Sequence, residues 1–268
     1  MTQRRILVIG YGAIAAELVS LLRDPAIFGA RVGVMLRPGS PSHAKAPGGI
    51  DIVVEAADVT AFGPDLVVEA AGHSAVRETV PDLLALGLPV LVSSIGALHD
   101  DDLVKRLSET AEAHGGRLIL ASGALGALDY IRAARSANAL DVAYESRKPP
   151  AAWAGELKAL GHDPETLAMP VTLFEGTARE AAAAYPQNLN VAAALALAGP
   201  GFDGVRVGVV CDPEARGNTH LVTASSEFGQ MRIEIANRPS PSNPKSSWIV
   251  AHSLFAAIRQ HFSPVQML

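Results

Sequence analysis

The chain has 268 residues, 49% hydrophobic and 18% charged, and its 27 acidic against 22 basic side chains leave a formal charge of −5. So apolar a chain with so small a net charge is not intrinsically disordered, and without a Lys/Arg-rich run it is not built to bind nucleic acid. Its one cysteine, Cys211, excludes an internal disulfide and a cysteine-built zinc site, so a reducing compartment, the cytoplasm, is expected.

Arg4-Arg5 ahead of an apolar stretch imitates a secretory signal, but Gly10, Gly12 and Glu17 interrupt the stretch. Ile6–Ile9 reads instead as a strand covered on both faces. A helix over 13–23 follows, and Asp24-Pro25 stops it. Strands are expected at 32–36, 52–54, 66–70, 90–93 and 117–121, helices at 74–86 and 100–114, and a loop at 37–49. Strand and helix alternating at this spacing predict a Rossmann-type doubly wound parallel sheet.

After residue 123 the pattern changes. Strands are expected at 141–146, 171–175, 205–211, 221–225 and 231–236, with a hairpin turn at 227–230 and Ala-rich helices at 177–184 and 188–198. Consecutive strands without intervening helices predict an antiparallel or mixed sheet, hence a second, α+β domain. A loop at 239–244 leads to a last helix over 246–261. The longest later apolar run, Val191–Ala198, is far below the roughly 20 residues of a bilayer span. Three parts are therefore expected: a dinucleotide-binding domain over 1–123, a substrate and dimerisation domain over 124–244, and a C-terminal helix in 245–268 packing back on the first.

Gly10-Tyr11-Gly12-Ala13-Ile14-Ala15 directly follows the first strand and opens the first helix. Gly10 permits a tight turn, Gly12 leaves room for a pyrophosphate against backbone N–H groups, and Ala15 allows close packing of helix on strand. The helix N-terminus at Ala13 and Ile14 presents unpaired donors and a positive dipole. A bare glycine pattern is weak, but in this position it specifies a dinucleotide turn. The acidic residue that usually binds the ribose 2′-hydroxyl after the second strand is missing; Arg37 stands there, followed by Ser40, Ser42, His43 and Lys45. An Arg at this point can receive a 2′-phosphate, so NADP, or tolerance of NAD and NADP, is expected; a solvated loop arginine is the alternative.

Three further clusters fall at expected strand ends: Glu69-Ala-Ala-Gly72-His73-Ser74, Ser93-Ser-Ile-Gly-Ala97 and Ser122-Gly-Ala124-Leu-Gly-Ala-Leu-Asp129. Their small residues let backbone lie against a flat nicotinamide. His73 is a candidate for substrate contact or for a capping role. His220, in Arg216-Gly-Asn-Thr-His-Leu-Val222, stands at the entrance of a strand. Its imidazole, titrating at about 6.5 when unperturbed, suits proton transfer, while a structural role is the bland alternative. Gln187-Asn188-Leu189-Asn190 opens an Ala-rich helix, which an Asn would either cap or use to face the cofactor. Arg147 and Lys148 end a strand as a carboxylate site would require, or are simply solvated. No metal site is expected.

Taken together, Gly10–Ala15, Glu69–His73, Ser122–Ala127, Arg147–Pro149, Gln187–Asn190 and Gly217–His220 resemble the L-aspartate dehydrogenase family over essentially the full chain. The resemblance implies oxidation of L-aspartate to iminoaspartate with NAD or NADP, the imine serving NAD biosynthesis or hydrolysing to oxaloacetate. It further implies His220 as the active-site residue, Ala124 and Asn190 contacting the cofactor, and a homodimer of two-domain subunits. In that chemistry His220 takes the amine proton, and His73, Ser74, Arg147 and Lys148 are the groups available to the substrate carboxylates. Two other readings stay open. One is a two-domain reductase resembling dihydrodipicolinate reductase, whose Lys/His-rich catalytic stretch is not seen here. The other is a non-catalytic NADP sensor, which would need no proton-transfer residue.

Overall fold

The computed structural model describes residues 3–185, 190–241 and 243–266. The chain divides into two compact units, one holding the residues up to Ala121 and those from Ala251 onward, the other Ser122–Val250.

In the first unit, β1 (Arg5–Ile9), β2 (Arg31–Met35), β3 (Asp51–Val53), β4 (Leu66–Glu69), β5 (Pro89–Val92) and β6 (Arg117–Leu120) form one parallel sheet in the order β3-β2-β1-β4-β5-β6. Ile6, Leu7 and Val8 are all fully buried, which requires cover on both faces and explains the unbroken apolar run of β1. Cover comes from α1 (Ala13–Arg23), α2 (Ala56–Phe62), α3 (His73–Glu78), α4 (Val80–Ala85) and α5 (Asp101–His114). Ala15, Leu18, Val19 and Leu22 recur at helical spacing on α1 and make its buried stripe. The C-terminal helix, Ile249–His261, adds Leu254, Phe255 and Ile258 to the same core as Ile6, Val8 and Leu18.

Three local expectations are corrected here. The helix expected over 74–86 is two helices, parted at Thr79, because Pro81 brings no N–H to a continuous ladder. α2 was not expected; its apolar stripe is only Val59 and Phe62, but Asp58 accepts from the Val54 and Glu55 N–H groups at 3.0 Å each. Gly63, at φ +60°, closes it. The 37–49 segment holds a short 3₁₀ turn, Pro41–Lys45, where the Ser40 side chain accepts from Ser42 N–H.

In the second unit, α6 (Leu128–Ala134), β7 (Leu140–Lys148), α7 (Ala154–Ala159), β8 (Val171–Thr177), α8 (Ala178–Ala184), α9 (Asn190–Ala198), β9 (Val205–Cys211), β10 (Asn218–Ser226) and β11 (Gly229–Asn237) follow in turn. The sheet is mixed, in the order β11-β10-β7-β9-β8, with β7 and β9 parallel and the other neighbours antiparallel. One face is covered. It carries Val142, Tyr144, Ser146 and Lys148 from β7, Asn218, His220, Val222 and Ala224 from β10, and Val205, Val207, Val209 and Cys211 from β9. α8 and α9 pack on β9, and nearly every α9 side chain is buried because alanine permits close approach. α6 and α7 are short and were not expected from sequence. The loop expected at 239–244 and the helix start expected at 246 give way to a small ladder of β12 (Pro239–Ser240) with β13 (Asn243–Ser247); the helix begins only at Ile249.

Candidate active site

The first unit's site lies where the strand order reverses, between β1 and β4. Gly10 adopts φ +85° and its N–H donates to the Met35 carbonyl at 2.9 Å. A Cβ on Gly10 would lie 2.7 Å from the Ala71 Cβ, so only glycine fits. At Gly12 the reason differs. Its φ is ordinary and nothing lies within 4 Å of where a Cβ would point, so the missing side chain keeps open space above the α1 N-terminus. No side chain caps that terminus and no acidic residue sits in its first turn, leaving the backbone donors at Ala13 and Ile14 for an anion. These residues fit a dinucleotide pyrophosphate.

The adjoining cleft, of about 370 Å³, is lined by Gly10, Gly12, Arg37, Ser40, Ser42 and Ser74 among others. Arg37 is exposed at its rim, just beyond β2. Gly72, at φ +140°, precedes α3, whose first residue is His73. What shapes this turn is Glu69, fully buried at the end of β4. Its carboxylate accepts from the N–H groups of Ala71 (2.8 Å), Gly72 (2.7 Å) and Ser94 (2.9 Å), and from the Ser94 hydroxyl (2.9 Å). One side chain thus ties the ends of β4 and β5 together. Nothing local in the sequence marks Glu69 for this role, since its partners on Ser94 lie 25 residues on.

The second unit carries another cluster on the covered face of its sheet. β10 sets His220 opposite Ser146, with Tyr144 and Lys148 two residues to either side on β7. The Tyr144 hydroxyl lies 2.8 Å from His220 Nδ1, and the rings stack at 5.9 Å. Burial raises the Tyr144 phenol well above its usual range, an effect the neighbouring Ser146 side chain partly offsets. His220 Nε2 is buried without a partner among the described residues. Burial, and then the neighbouring Lys148 cation, lower the imidazole from 6.5 to about 4. The neutral-range titration expected from sequence is thereby corrected. Burial likewise lowers the Lys148 ammonium from 10.5 to about 8, opposed by Glu156, while its Nζ sits 5.1 Å from the Trp153 ring centroid.

Arg147 does not join this cluster. Alternation along β7 turns it to the opposite face, where Glu145 and Asp212 hold its guanidinium. Its pairing with Lys148 as one carboxylate site is corrected on that ground. The Ala124 carbonyl accepts from Asn237 Nδ2 at 3.0 Å, and Asn190 is the first residue of α9. Gln187, Asn188 and Leu189 lie outside the described residues. Among the described residues no group of three or more His, Cys, Asp or Glu side chains is arranged to hold a metal, and no helix is long and apolar enough to cross a membrane.

A parallel sheet in this order, with a glycine turn feeding an uncapped helix, defines a dinucleotide-binding oxidoreductase. Comparison with known proteins narrows the class. The family pattern described as "Homoserine dehydrogenase, NAD binding domain" matches residues 10–121, and "Aspartate dehydrogenase, C-terminal" matches 129–261. L-aspartate dehydrogenase 2 of Bordetella pertussis is 46% identical over 259 residues, 97% of each chain. L-aspartate dehydrogenase of Ruegeria pomeroyi is 43% identical over 263 residues, 98% of this chain and 94% of that one. The crystal structure of aspartate dehydrogenase from Thermotoga maritima superposes with a TM-score of 0.78 at 27% identity, covering 99% of this chain and 100% of the other. The chain belongs to the L-aspartate dehydrogenase family.

Proposed function

We propose that the chain oxidises L-aspartate reversibly to iminoaspartate with NAD or NADP, His220 being its proton-transfer residue and Lys148 its substrate cation. The observation that carries this reading is the His220 imidazole, held at Nδ1 and without a partner at Nε2 among the described residues, on the same sheet face as a buried cation. A nicotinamide held by the glycine turn would supply the acceptor for the hydride on C2 of the amino acid. The chain's own residues must do the rest. The amine has to be neutral before its lone pair can drive hydride departure, and His220 Nε2 takes that proton. Being buried and neutral, His220 is competent at physiological pH. Lys148 is the cation of the second unit available to a substrate carboxylate, and the His73-Ser74 turn is the polar group the first unit offers.

Gly10, Gly12 and the first-turn donors at Ala13 and Ile14 hold the pyrophosphate. Gly72, Ala124 and Asn190 approach the cofactor elsewhere. Arg37, with Ser40 and Ser42 beside it in the cleft, is placed to receive a 2′-phosphate, so NADP is accepted, alone or alongside NAD. The product imine supplies NAD biosynthesis or hydrolyses to oxaloacetate and ammonia. The working form is a cytoplasmic homodimer, in which a second copy covers the face of the mixed sheet bearing Ala143, Leu221 and Thr223, where the free chain has an open groove of about 660 Å³.

Initial rates of cofactor reduction across a panel of amino acids test the substrate, with aspartate expected to stand alone. His220→Ala is expected to slow aspartate oxidation by about 10²–10⁴ while cofactor binding is kept. A folded His220→Ala protein with parental turnover refutes the role of His220.

A further inference from the structure

A buried carboxylate without a cation is costly, and the first unit keeps one beside its glycine turn. Glu69 is fully buried, and among the described residues no Lys, Arg or His side chain forms an ion pair with it. Its partners, the N–H groups of Ala71, Gly72 and Ser94 and the Ser94 hydroxyl, offer it donors alone, so the side chain carries its charge into the fold. The strand register fixes where that charge lies. Glu69 pairs with Ile9 on β1 and with Val92 on β5, and Ile9 is the residue before Gly10. A dinucleotide crosses a sheet of this order with its pyrophosphate at the α1 N-terminus and one half to either side. Arg37, just beyond β2, stands on the side of the adenosine ribose. The nicotinamide half therefore falls to the ends of β4 and β5, where Glu69 is.

Resting on the cofactor site proposed above, we infer that Glu69 serves the cofactor through its charge, favouring the oxidised, cationic nicotinamide over the reduced, neutral one. The two forms differ by a hydride and so by one unit of ring charge. In buried surroundings an anion separates them more sharply than it would in water. A unit charge felt across about 10 Å at an effective dielectric of about 20 corresponds to about tenfold in affinity. Glu69 thereby draws the bound couple towards its oxidised state and makes the reduced cofactor the better hydride donor. No proton moves and no bond breaks at Glu69; its hydrogen bonds hold the charge in place.

Calorimetric titration of the full-length protein with NADP⁺ and with NADPH, in the absence of substrate, is the test. Glu69→Gln brings an amide N–H towards donors it cannot bond, so the turn loosens and both forms bind less well; the inference concerns the ratio of their dissociation constants. NADP⁺ is expected to lose about tenfold more affinity than NADPH, whereas a residue that only shapes the turn weakens both alike. Ser94→Ala removes one hydrogen bond from the same turn and keeps the charge, so its ratio is expected to stay at the parental value. The parent protein supplies a comparison that needs no variant. An NADP⁺ analogue with neutral, planar benzamide in place of the pyridinium ring is expected to bind it about tenfold more weakly than NADP⁺. An unmoved ratio in folded Glu69→Gln, an equal shift in Ser94→Ala, or a benzamide analogue bound as tightly as NADP⁺ overturns the inference. A parent that binds neither NADP⁺ nor NADPH overturns the cofactor site itself, and the inference with it.

Discussion

Replacing Lys148 by Met should make the protein more stable and less able to bind its substrate. The ammonium titrates at about 8 instead of 10.5. At about 1.4 kcal/mol for each factor of ten in proton affinity, holding it charged in the fold costs about 3 kcal/mol. Its position over Trp153 returns about 1 kcal/mol of that. Methionine has similar length, keeps contact with the indole and carries no charge, so Lys148→Met should gain about 2 kcal/mol at pH 7. At roughly 3 °C per kcal/mol for a chain of this size, Tm rises by about 6 °C. The sign of the pH dependence is fixed. Because the folded pKa is depressed, the penalty is complete below pH 8 and lifts as pH climbs from 8 towards 10.5, so the advantage of Met shrinks to under about 1 kcal/mol at pH 10. Urea unfolding of parent and variant at both pH values reads the difference. The same variant should raise KM for aspartate about ten- to a hundredfold, the worth of one charge-assisted carboxylate contact. A variant no more stable than the parent at pH 7, or one whose gain persists at pH 10, would mean that the ammonium reaches water.

Gly12→Val should weaken cofactor binding by more than tenfold while Tm barely moves, since a Cβ there meets no protein atom within 4 Å; unchanged affinity on titration removes the turn from the site. Arg37→Asp should cost NADP about ten- to a hundredfold in affinity and NAD little, so an unmoved preference ratio would show a merely solvated arginine. The His220 ring should stay neutral down to about pH 4 by NMR. Because its folded pKa lies below the unfolded 6.5, the unfolded chain gains the proton first. Stability relative to His220→Gln should therefore fall as pH drops from 6.5 to 4; an NMR titration midpoint near 6.5 contradicts the burial argument.

Much of the first unit was legible because its signals are local. Ile6–Ile9 needs cover on both faces, and Gly10 and Gly12 are glycines for reasons that act within a single turn. α2 escaped because two buried residues make too thin a stripe, and its capping by Asp58 is a matter of hydrogen bonds more than of periodicity. In the second unit the strands were readable but their pairing was not: β7 lies beside β9, with β8 between them in sequence and at the sheet's edge in space. That pairing decides the site. Motif position pointed to His220, but Tyr144 and Ser146 become its neighbours only through the antiparallel register of β7 with β10. One signal was available and unused. Val142, Tyr144, Ser146 and Lys148 alternate along one strand, and the same alternation puts Arg147 on the far side from Lys148.

The first unit is made of two pieces of chain separated by the whole of the second, and this bears on how the protein is born. During synthesis residues up to Ala121 emerge first, but Leu254, Phe255 and Ile258, which fill the same core as Ile6 and Leu18, are the last of that core to appear. The earlier part must wait with an apolar surface uncovered while some 130 residues are added, a time of roughly ten seconds at about 5–20 residues per second. The later part, being continuous, has all its strands as soon as β13 is out. Order of synthesis and order of completion are thus reversed. The polypeptide's last helix acts as the keystone of the unit that was begun first, and losing it exposes the nucleotide-binding half, not the half to which it is joined.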